Sequence, residues 1–242
     1  MPRFFLDRGQ IGEDSLVLRG DDAHHISYSL RMAVGDEITV CDEEGTEYLC
    51  ALSAFDGDTV TASILSRQAG QTESPVNIRL YMAYPKGDKL ETVVQKAVEL
   101  GASRILPFES ERCVKRPHAE KAAKQTARLT RIATEAAKQC GRSRLPSVST
   151  PVSFSDVMKD DAQLRILCYE GEGAESLRAL LEERAMPQTV SVVIGSEGGF
   201  SPAEASAAKE AGFLLANLGP RILRCETAPE FALTALCYRW EL

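Results

Sequence analysis

A chain of 242 residues is long for one hydrophobic core and comfortable for two domains, and its formal net charge is −7. The composition, 44% hydrophobic and 26% charged, is ordinary for a soluble globular protein. No apolar run approaches the ~20 residues of a membrane helix, which excludes a membrane-spanning protein. The N-terminal segment becomes charged too early for a signal peptide, so we expect a cytoplasmic protein.

Cysteine and histidine spacing gives no indication of a metal or disulfide site. The seven cysteines are odd in number, form no Cys-x-x-Cys pair and mostly fall within apolar runs, which is typical of reduced, buried thiols. The three histidines, His24, His25 and His118, have no clustered cysteine or aspartate partners. We therefore expect no metal.

Residues 1–70 predict a small β-rich domain. Asp21 or Asp22 is expected to cap a helix that continues through Met32. Residues 71–76, which are mostly polar and contain a proline, are expected to form a linker. Alternating apolar positions and turn residues indicate five strands, at Arg3–Leu6, Leu16–Leu18, Glu37–Cys41, Thr46–Phe55 and Thr59–Ser66.

From residue 77 to residue 242, strand and helix patterns alternate. This alternation indicates an α/β domain with a parallel sheet covered on both faces. The predicted strands are Ile78–Tyr84, Arg104–Phe108, Leu164–Tyr169, Thr189–Ile194 and Phe213–Leu218. The predicted helices are Asp88–Leu100, Ala119–Cys140, Glu175–Arg184, Ala203–Ala211 and Pro229–Glu241.

Two strand-to-helix connections in this second domain share one plan: an apolar strand, a glycine loop and a helix start. The first loop begins at Gly195 and reads Gly-Ser-Glu-Gly-Gly-Phe-Ser-Pro. The second begins at Leu218 and reads Leu-Gly-Pro-Arg-Ile-Leu-Arg-Cys-Glu-Thr-Ala. Ligands of open α/β sheets bind beyond the carboxyl ends of the strands, so two such loops together predict a small-molecule pocket. The alternative is that both are ordinary turns.

Local signals define the conformation and the ends of these loops. All three glycines of the first loop can adopt positive φ and let a ligand approach the backbone. Ser201 is expected to be the N-cap of the following helix, with Pro202 as its first residue and Glu204 as the capping-box partner. Thr227 is the expected cap of the terminal helix.

Charge is distributed unevenly along the chain. Between Arg112 and Arg144, ten basic residues are accompanied only by Glu120 and Glu135, a local charge of +8 that leaves −15 for the remainder. A basic block in an acidic protein favours a polyanion partner, against the alternative of a solvated helix face. Residues 1–67 carry five basic and thirteen acidic side chains, so any RNA contact there must be local.

The two glycine loops resemble those of the 16S ribosomal RNA uridine-N3 methyltransferase family, in the SPOUT or trefoil-knot class. That family has proline where this chain has Ser196, and threonine where it has Cys225. The resemblance implies a PUA-like β-barrel over residues 1–70 and a deep trefoil knot in the C-terminal part of the chain. It extends over essentially the whole chain, through the segments His24–Arg31, Lys86–Asp88, Glu99–Gly101, Glu109–Lys115 and Glu135–Arg142.

The resemblance also implies a cofactor, S-adenosyl-L-methionine. The dinucleotide pattern Gly-x-Gly-x-x-Gly after an early strand and the phosphate loop ending in Gly-Lys-Ser/Thr are both absent. Loops that offer backbone groups and apolar edges suit a neutral adenosine and a methionine tail better than a polyphosphate. The residues expected to bind the cofactor are Leu167, Tyr169, Gly195, Glu197, Gly198, Gly199, Leu218, Gly219, Ile222, Leu223, Thr227 and Ala228.

The implied reaction is methylation of N3 of a uridine in the decoding region of 16S rRNA. N3 lies on the Watson–Crick edge and carries a proton, so the base must leave its stack and the proton must be removed. We assign Arg224 to stabilise the uracil anion and Glu226 to act as the base. The alternative is that these two residues form a structural ion pair across the loop.

Candidates for RNA binding come from the basic block and from the family segments. Spacings of four and three are expected to place Glu135, Gln139 and Arg142 along one helix face, where Gln139 could contact a base edge and Arg142 a phosphate. The alternative for Arg142 is an exposed cation that favours the helix dipole. The full set is Arg31, Lys86, Arg112, Lys115, Arg116, Gln139 and Arg142.

The terminal helix Pro229–Glu241 is apolar on more than one face, which indicates either an interface or burial within the subunit. Family resemblance favours a homodimer, and the implied RNA partner is 16S rRNA or the small ribosomal subunit. Two other functions fit the same features. One is a SPOUT ribose 2′-O-methyltransferase acting on tRNA or rRNA, and the other is a non-enzymatic RNA-binding ribosome factor.

Overall fold

The computed structural model describes residues 1–114, 116 and 119–242. Two residues singled out in the sequence, Lys115 and His118, lie outside these ranges. The chain forms two units, one of residues 1–73 and 137–145 and the other of residues 74–136 and 146–242. Residues 137–145, which fall within the predicted second domain, thus belong to the first unit. None of the helices in the described ranges has the length and hydropathy that crossing a bilayer requires.

The first unit is built on a curled, five-stranded sheet. Its strand order is β1-β3-β4-β5-β2, with β1 parallel to β3 and the other neighbouring pairs antiparallel. In chain order the elements are β1 (Arg3–Phe5), a 3-10 turn (Arg8–Gln10), β2 (Ser15–Arg19), α1 (Gly20–His24), a π turn (His25–Ser29), β3 (Glu37–Cys41), β4 (Thr46–Asp56) and β5 (Thr59–Ala69).

Alternation along these strands sends one set of side chains into the core of the first unit. Leu16 and Leu18 of β2 and Ile38 and Val40 of β3 are fully buried, while the residues between them remain partly exposed. A period of two is the signature of a half-buried strand, and it is why the sequence located all five strands.

The helix after β2 is shorter than predicted. The α-helix begins at Gly20 and ends at His24, so neither Asp21 nor Asp22 is its N-cap, and it passes directly into the helical π turn, so helical backbone ends a few residues before the predicted Met32. The amide of Leu30 donates to the carbonyl of His25 at 2.9 Å, and Arg31 adopts a left-handed φ of 54°. Serine hydroxyls compete for backbone hydrogen bonds, and the two serines in the turn weaken a regular helix there.

The second unit carries a parallel sheet, as the alternation of strands and helices predicted. The sheet order is β11-β13-β10-β12-β6-β7-β8, with β9 beside β7. Its elements are β6 (Asn77–Ala83), α2 (Lys89–Glu99), β7 (Ala102–Glu109), α3 (Ala119–Cys140, whose last four residues belong to the first unit), β8 (Ser147–Val148), β9 (Val152–Ser153), α4 (Phe154–Val157), β10 (Leu164–Cys168), β11 (Glu175–Ser176), α5 (Leu177–Glu182), β12 (Thr189–Ile194), α6 (Pro202–Glu210), β13 (Leu214–Asn217) and α7 (Thr227–Trp240).

A buried polar cluster ties β6 to β12 at the end of the sheet where β10 begins. The Asp160 carboxylate accepts hydrogen bonds from Tyr81 Oη at 2.8 Å, Ser191 Oγ at 2.6 Å and Arg79 Nη1 at 2.8 Å, and its side chain is 1% exposed. Burial alone would raise the pKa of this carboxyl. The hydrogen bonds, led by the one from Ser191, outweigh burial, so the pKa of Asp160 is lowered.

Candidate functional site

Three neighbouring strands of the second unit end at one cavity. Because β13, β10 and β12 are parallel and adjacent, their carboxyl ends lie along the same edge of the sheet. The segments that follow them line a cavity of about 760 Å³. The lining residues are Lys89, Arg112, Cys168–Gly171, Ile194–Phe200, Pro202, Asn217–Cys225 and Ala228.

The first glycine loop, Gly195–Pro202, is a tight turn that needs small residues for two different reasons. Gly199 has a φ of +61°, which favours glycine, and its amide donates to the carbonyl of Ser196 at 2.9 Å. Gly195 does not have positive φ, but a Cβ there would lie 3.0 Å from Gly199 Cα. Gly198 likewise lacks positive φ, so the expectation that all three glycines use it is correct only for Gly199.

The far end of this loop is anchored in the core and at a helix cap. Phe200 is buried, and its ring stacks on Phe108 of β7 with centroids 6.3 Å apart. Ser201 and Glu204 form the predicted capping box at the start of α6. Glu204 also accepts a hydrogen bond from the amide of Glu111 at 2.8 Å, which joins the loop after β7 to the first turn of α6.

The second glycine loop, Leu218–Ala228, turns at Gly219 and leads into α7. Gly219 has a φ of +108°, and its amide donates to Asn217 Oδ1 at 3.3 Å. The amides of Thr227 and Ala228 both donate to the carbonyl of Arg224 at 2.9 Å. Thr227 is the first residue of α7 rather than its cap, so that expectation is wrong; Glu226 precedes the helix and its side chain does not cap it.

The structure brings most of the predicted cofactor residues together. Leu167 does not line the cavity, because it lies within β10 and is fully buried in the core. Thr227 is exposed and is also outside the cavity lining. The predicted residues that do line it are Tyr169, Gly195, Glu197, Gly198, Gly199, Leu218, Gly219, Ile222, Leu223 and Ala228.

A charged cluster that the sequence did not reveal connects the two glycine loops. The Lys89 ammonium lies 3.1 Å from Glu197 Oε1 in the first loop and 3.1 Å from Glu226 Oε2 in the second. Glu197 also accepts a hydrogen bond from the amide of Lys86 at 3.1 Å. The sequence singled out the segment that ends at Asp88, one residue before Lys89, but nothing in the spacing indicates the two carboxylate partners.

Glu226, the predicted base, belongs to this cluster. Burial would raise the pKa of the carboxyl, but hydrogen bonds from its own amide, the Cys225 thiol and Lys89 outweigh burial and lower it. Hydrogen bonds to Glu197, and then to Glu226, raise the pKa of Lys89. Glu226 is therefore an ionised partner of Lys89 and does not line the cavity. Its ion-pair partner is Lys89 and not Arg224.

Both departures from the family pattern form polar contacts within the loops. Burial raises the pKa of Cys225 to about 12, so the thiol keeps its proton and donates to Glu226 Oε2 at 3.2 Å. Ser196 is buried, and its hydroxyl donates to the carbonyl of Arg112 at 3.5 Å. All seven cysteines are outside disulfide bonds.

The RNA-binding candidates of the second unit are only partly free for RNA. Arg112 lines the cavity and donates to the carbonyl of Gly198 at 3.2 Å. Arg116 is exposed and pairs with Glu109 at 2.8 Å beside a second cavity of about 500 Å³. Lys86 is exposed, and Lys115 is not among the described residues.

The prediction for Arg142 is contradicted by its environment. Arg142 follows the end of α3, so it does not continue the helix face of Glu135 and Gln139. Its side chain is 6% exposed, and both Nε and Nη2 donate to the Glu73 carboxylate. Glu73 also accepts hydrogen bonds from the amide of Ser143 at 3.0 Å, so the guanidinium is committed to structure within the first unit. Arg31 and Gln139 are exposed.

Exposed cations do form a stripe along α3. Lys121, Lys124, Arg128 and Arg131 follow spacings of three, four and three, which places them on one helix face. The buried side of the helix, marked by Leu129, is on the opposite face. Arg128 is paired with Glu91 at 2.8 Å, but the face as a whole remains basic.

The site offers a small-molecule cavity with glycine backbone, aliphatic edges and charged residues at its rim. Its volume lies in the range of about 300–1,000 Å³ that is usual for small-ligand pockets. Across the described ranges, no group of three or more histidine, cysteine, aspartate or glutamate side chains could hold a metal ion.

Comparison with known proteins identifies relatives of the whole chain. Family models match an RNA methyltransferase domain over residues 72–237 and an RNA methyltransferase PUA domain over residues 18–65. The chain is 34% identical to ribosomal RNA small subunit methyltransferase E of Bacillus subtilis over 251 residues, covering 100% of this chain and 98% of that one.

Solved structures agree with this relationship. One is a ribosomal RNA small subunit methyltransferase E from Neisseria gonorrhoeae bound to S-adenosyl methionine, with TM-score 0.87, 30% identity and coverage of 99% of this chain and 98% of that one. Another is a Legionella pneumophila methyltransferase in complex with its cofactor SAM, with TM-score 0.85, 32% identity and coverage of 98% and 96%. The family predicted from the two glycine loops is confirmed: the chain belongs to the RNA methyltransferase family that includes ribosomal RNA small subunit methyltransferase E.

Proposed function

We propose that this protein transfers a methyl group from S-adenosylmethionine to N3 of a uridine in the decoding region of 16S rRNA. The observation that carries the proposal is the cavity formed by two glycine loops at the ends of three adjacent strands. It occurs in a chain related over its whole length to ribosomal RNA small subunit methyltransferase E. A protein acting on ribosomal RNA of this kind would work in the cytoplasm.

The residues present fit the cofactor. The cavity of about 760 Å³ accommodates a ligand of this size, and Gly199 and Gly219 leave open space where side chains would stand. Ile222 and Leu223 offer apolar contact for the adenosine. When bound, the cofactor supplies an electrophilic methyl group on a sulfonium.

Arg224 is the residue assigned to the uracil. It is exposed at the lining of the cavity, and no described residue pairs with its guanidinium. N3 of a neutral uracil is a poor nucleophile, so loss of its proton must be favoured while the base is unstacked. A guanidinium next to the uracil carbonyl oxygens would stabilise the anion that forms.

Glu226 is assigned a positioning role instead of the base role expected from the sequence. A carboxylate with a lowered pKa is a weak base, and this one is held by Lys89 at 3.1 Å outside the cavity lining. The N3 proton would then pass to water at the mouth of the cavity. Arg224 lowers the cost of that transfer by favouring the anion.

RNA binding is assigned to exposed cations of the second unit. The basic stripe of α3, from Lys121 to Arg131, presents positive charge without an acid inside the stripe. Arg116 and Lys86 are also exposed. Phosphate contacts from such residues fix the position of RNA without reading its sequence. In the first unit, Arg31 and Gln139 remain proposed contacts, and Arg142 is withdrawn.

A homodimer is part of the proposal, and α7 supports it. One face of this helix is buried within the subunit through Ala232, Leu233 and Leu236. On another face, Phe231 and Tyr238, seven residues apart, are 45% and 76% exposed. Exposed aromatic side chains on one helix face favour an interface, and a symmetric pair would bury the same face of both subunits.

The trefoil knot is likewise proposed for the C-terminal part of the second unit. Its support is the convergence of the loops after β10, β12 and β13 on one cavity, as the family resemblance implies. Pulling on the two chain ends of a single molecule tests it. A knotted chain gives a fully stretched length shorter than its residues allow, whereas an unknotted chain gives the full length.

The function is tested by methyl transfer itself. Purified protein, labelled S-adenosylmethionine and small ribosomal subunits lacking the modification should give a labelled N3-methyluridine. Transfer to a ribose 2′-oxygen, or RNA binding without transfer, would instead support one of the two alternative functions.

A further inference from the structure

Lys89 lies at a point where three segments of the second unit meet. It is the first residue of α2, and its ammonium contacts Glu197 and Glu226, which belong to the two different glycine loops. The two carboxylates stand 108 and 137 residues further along the chain. One side chain therefore joins the start of α2 to both loops of the cavity.

The position of this lysine needs an explanation beyond helix stability. The N-terminus of a helix carries partial positive charge, so a cation at its first residue is unfavourable on local grounds. The two carboxylates offset that cost, and Glu197 also accepts the amide of Lys86 at 3.1 Å. The helix alone would favour an acidic residue at this position. The contacts with Glu197 and Glu226 in the two glycine loops therefore explain the lysine.

Cys225, in the second glycine loop, contacts both Glu226 and Lys89. The buried thiol donates to Glu226 Oε2 at 3.2 Å, and its sulfur lies 3.7 Å from the Lys89 ammonium. The Glu226 carboxylate thus has two partners, Lys89 and Cys225, and both of them line the cavity. Fixing Glu226 and Cys225 also fixes the backbone of Arg224, which directly precedes them.

We propose that Lys89 is a positioning residue for methyl transfer, holding the two glycine loops at a fixed separation so that the cofactor cavity and Arg224 keep their relative geometry. The inference rests on the proposed function, and in it Lys89 acts through its contacts with Glu197 and Glu226. It predicts that loss of the ammonium affects both cofactor affinity and turnover, because misplacement of reacting groups by about 1 Å can cost roughly 100-fold in rate.

The test compares Lys89→Met with Lys96→Met. Lys96 lies on the same helix and forms a Lys–Glu pair with Glu99 at 2.8 Å, but it is outside the cavity lining. Affinity for S-adenosylmethionine is measured by calorimetry, and turnover on small subunits by label transfer. We expect Lys89→Met to weaken binding and lower kcat by roughly 10- to 100-fold each. Lys89→Arg should recover most of both, and Lys96→Met should stay within about twofold.

A pH readout separates positioning from general stabilisation. Lys89→Met removes the cation next to both carboxylates, so the acid limb of cofactor binding should move to higher pH. Lys96→Met, which removes a cation paired with Glu99 instead, should leave that limb in place. If Lys89→Met fails to fold, Glu226→Gln removes the tie to the second loop alone and should show the same loss of affinity and turnover.

The outcomes are distinct. If wild type binds no S-adenosylmethionine, the proposed function fails and this inference fails with it. If wild type binds and methylates while Lys89→Met, or Glu226→Gln in its place, behaves like Lys96→Met, the function stands and the positioning role is overturned.

Discussion

The guanidinium of Arg112 donates a hydrogen bond to the carbonyl oxygen of Gly198 at 3.2 Å. The contact is close on both sides, because a Cβ on Gly198 would lie 2.9 Å from Arg112 Cβ. A residue chosen from the sequence for RNA binding therefore also supports the first glycine loop. The loop after β7 and the first glycine loop are in direct contact, so substitutions at Arg112 should affect both RNA binding and cofactor binding.

Arg112→Ala should weaken cofactor binding by roughly 3- to 10-fold, since it removes a charged donor from the loop carbonyl. Arg116→Ala is the matched control, because Arg116 pairs with Glu109 and does not line the cofactor cavity. Each lost phosphate contact should reduce the slope of log affinity for RNA against log salt by about 0.7 to 0.9. Calorimetry and RNA titrations at several salt concentrations measure both effects. Equal cofactor affinity in the two variants would contradict the dual role of Arg112.

Gly199→Val should abolish cofactor binding while the protein remains folded. A β-branched residue at a φ of +61° is strained by about 1–2 kcal/mol, and its side chain would stand at the lining of the cavity. Gly57→Val is the matched control, with a φ of +56° and open space around the Cβ position in the turn between β4 and β5. Thermal unfolding should show similar losses for both. Retention of cofactor affinity by folded Gly199→Val would remove this loop from the site.

Asp160→Asn should destabilise the protein by about 3 kcal/mol at pH 7, because it breaks a buried cluster with Arg79, Tyr81 and Ser191. The pKa of Asp160 is lowered in the folded state, so its stabilisation is present above the unfolded value of about 3.9 and is lost as pH falls below it. The difference between wild type and variant should therefore shrink in denaturant titrations below about pH 4.

Asp161→Asn provides the control for that measurement. Asp161 pairs with the same arginine at 2.6 Å, but its side chain is 86% exposed. An exposed ion pair contributes at most about 1 kcal/mol. A loss as large as that of Asp160→Asn would show that the buried hydrogen bonds are not the cause.

The proposed dimer should dissociate when aspartate replaces the exposed aromatic residues of α7. Phe231→Asp with Tyr238→Asp places two charges on the exposed face, and sedimentation should change from dimer to monomer with loss of activity. Leu236 is 1% exposed, so a charge there would disrupt the core and would not report on the interface. Ala207→Asp, on the exposed side of α6, is the control. A fully active wild-type monomer at micromolar concentration would contradict the dimer.

Much of the fold and the place of the cavity could be predicted from local sequence. Period-two runs indicated the strands of the first unit, apolar runs alternating with helix patterns indicated the main strands of the second, and the capping signals at Ser201 and Glu204 indicated the start of α6. The two glycine loops indicated the position of the cavity, because ligands of open α/β sheets bind beyond the carboxyl ends of the strands. The short strands β8, β9 and β11 could not be predicted, because a segment of two residues is too short to show a hydrophobic period.

The side-chain partners could not be predicted, because they depend on residues far apart in the chain. Glu226 was given Arg224 as its alternative partner by proximity, whereas folding brings Lys89 to it. The spacing predicts a phosphate contact for Arg142, or else an exposed helix-end cation, whereas its side chain is buried against Glu73, 69 residues earlier. Helical spacing assumes that the helix continues, and α3 ends at Cys140.

Identification of the methylated atom decides whether this protein acts on uridine N3. Small subunits lacking the modification are incubated with the protein and methyl-labelled S-adenosylmethionine, and the nucleosides of the digested 16S rRNA are separated. Label should appear in N3-methyluridine with wild type and be lost with Arg224→Ala, a variant that should still bind the cofactor. Label in a 2′-O-methylated nucleoside, or binding of both cofactor and RNA without any transfer, would contradict N3 methylation by this protein.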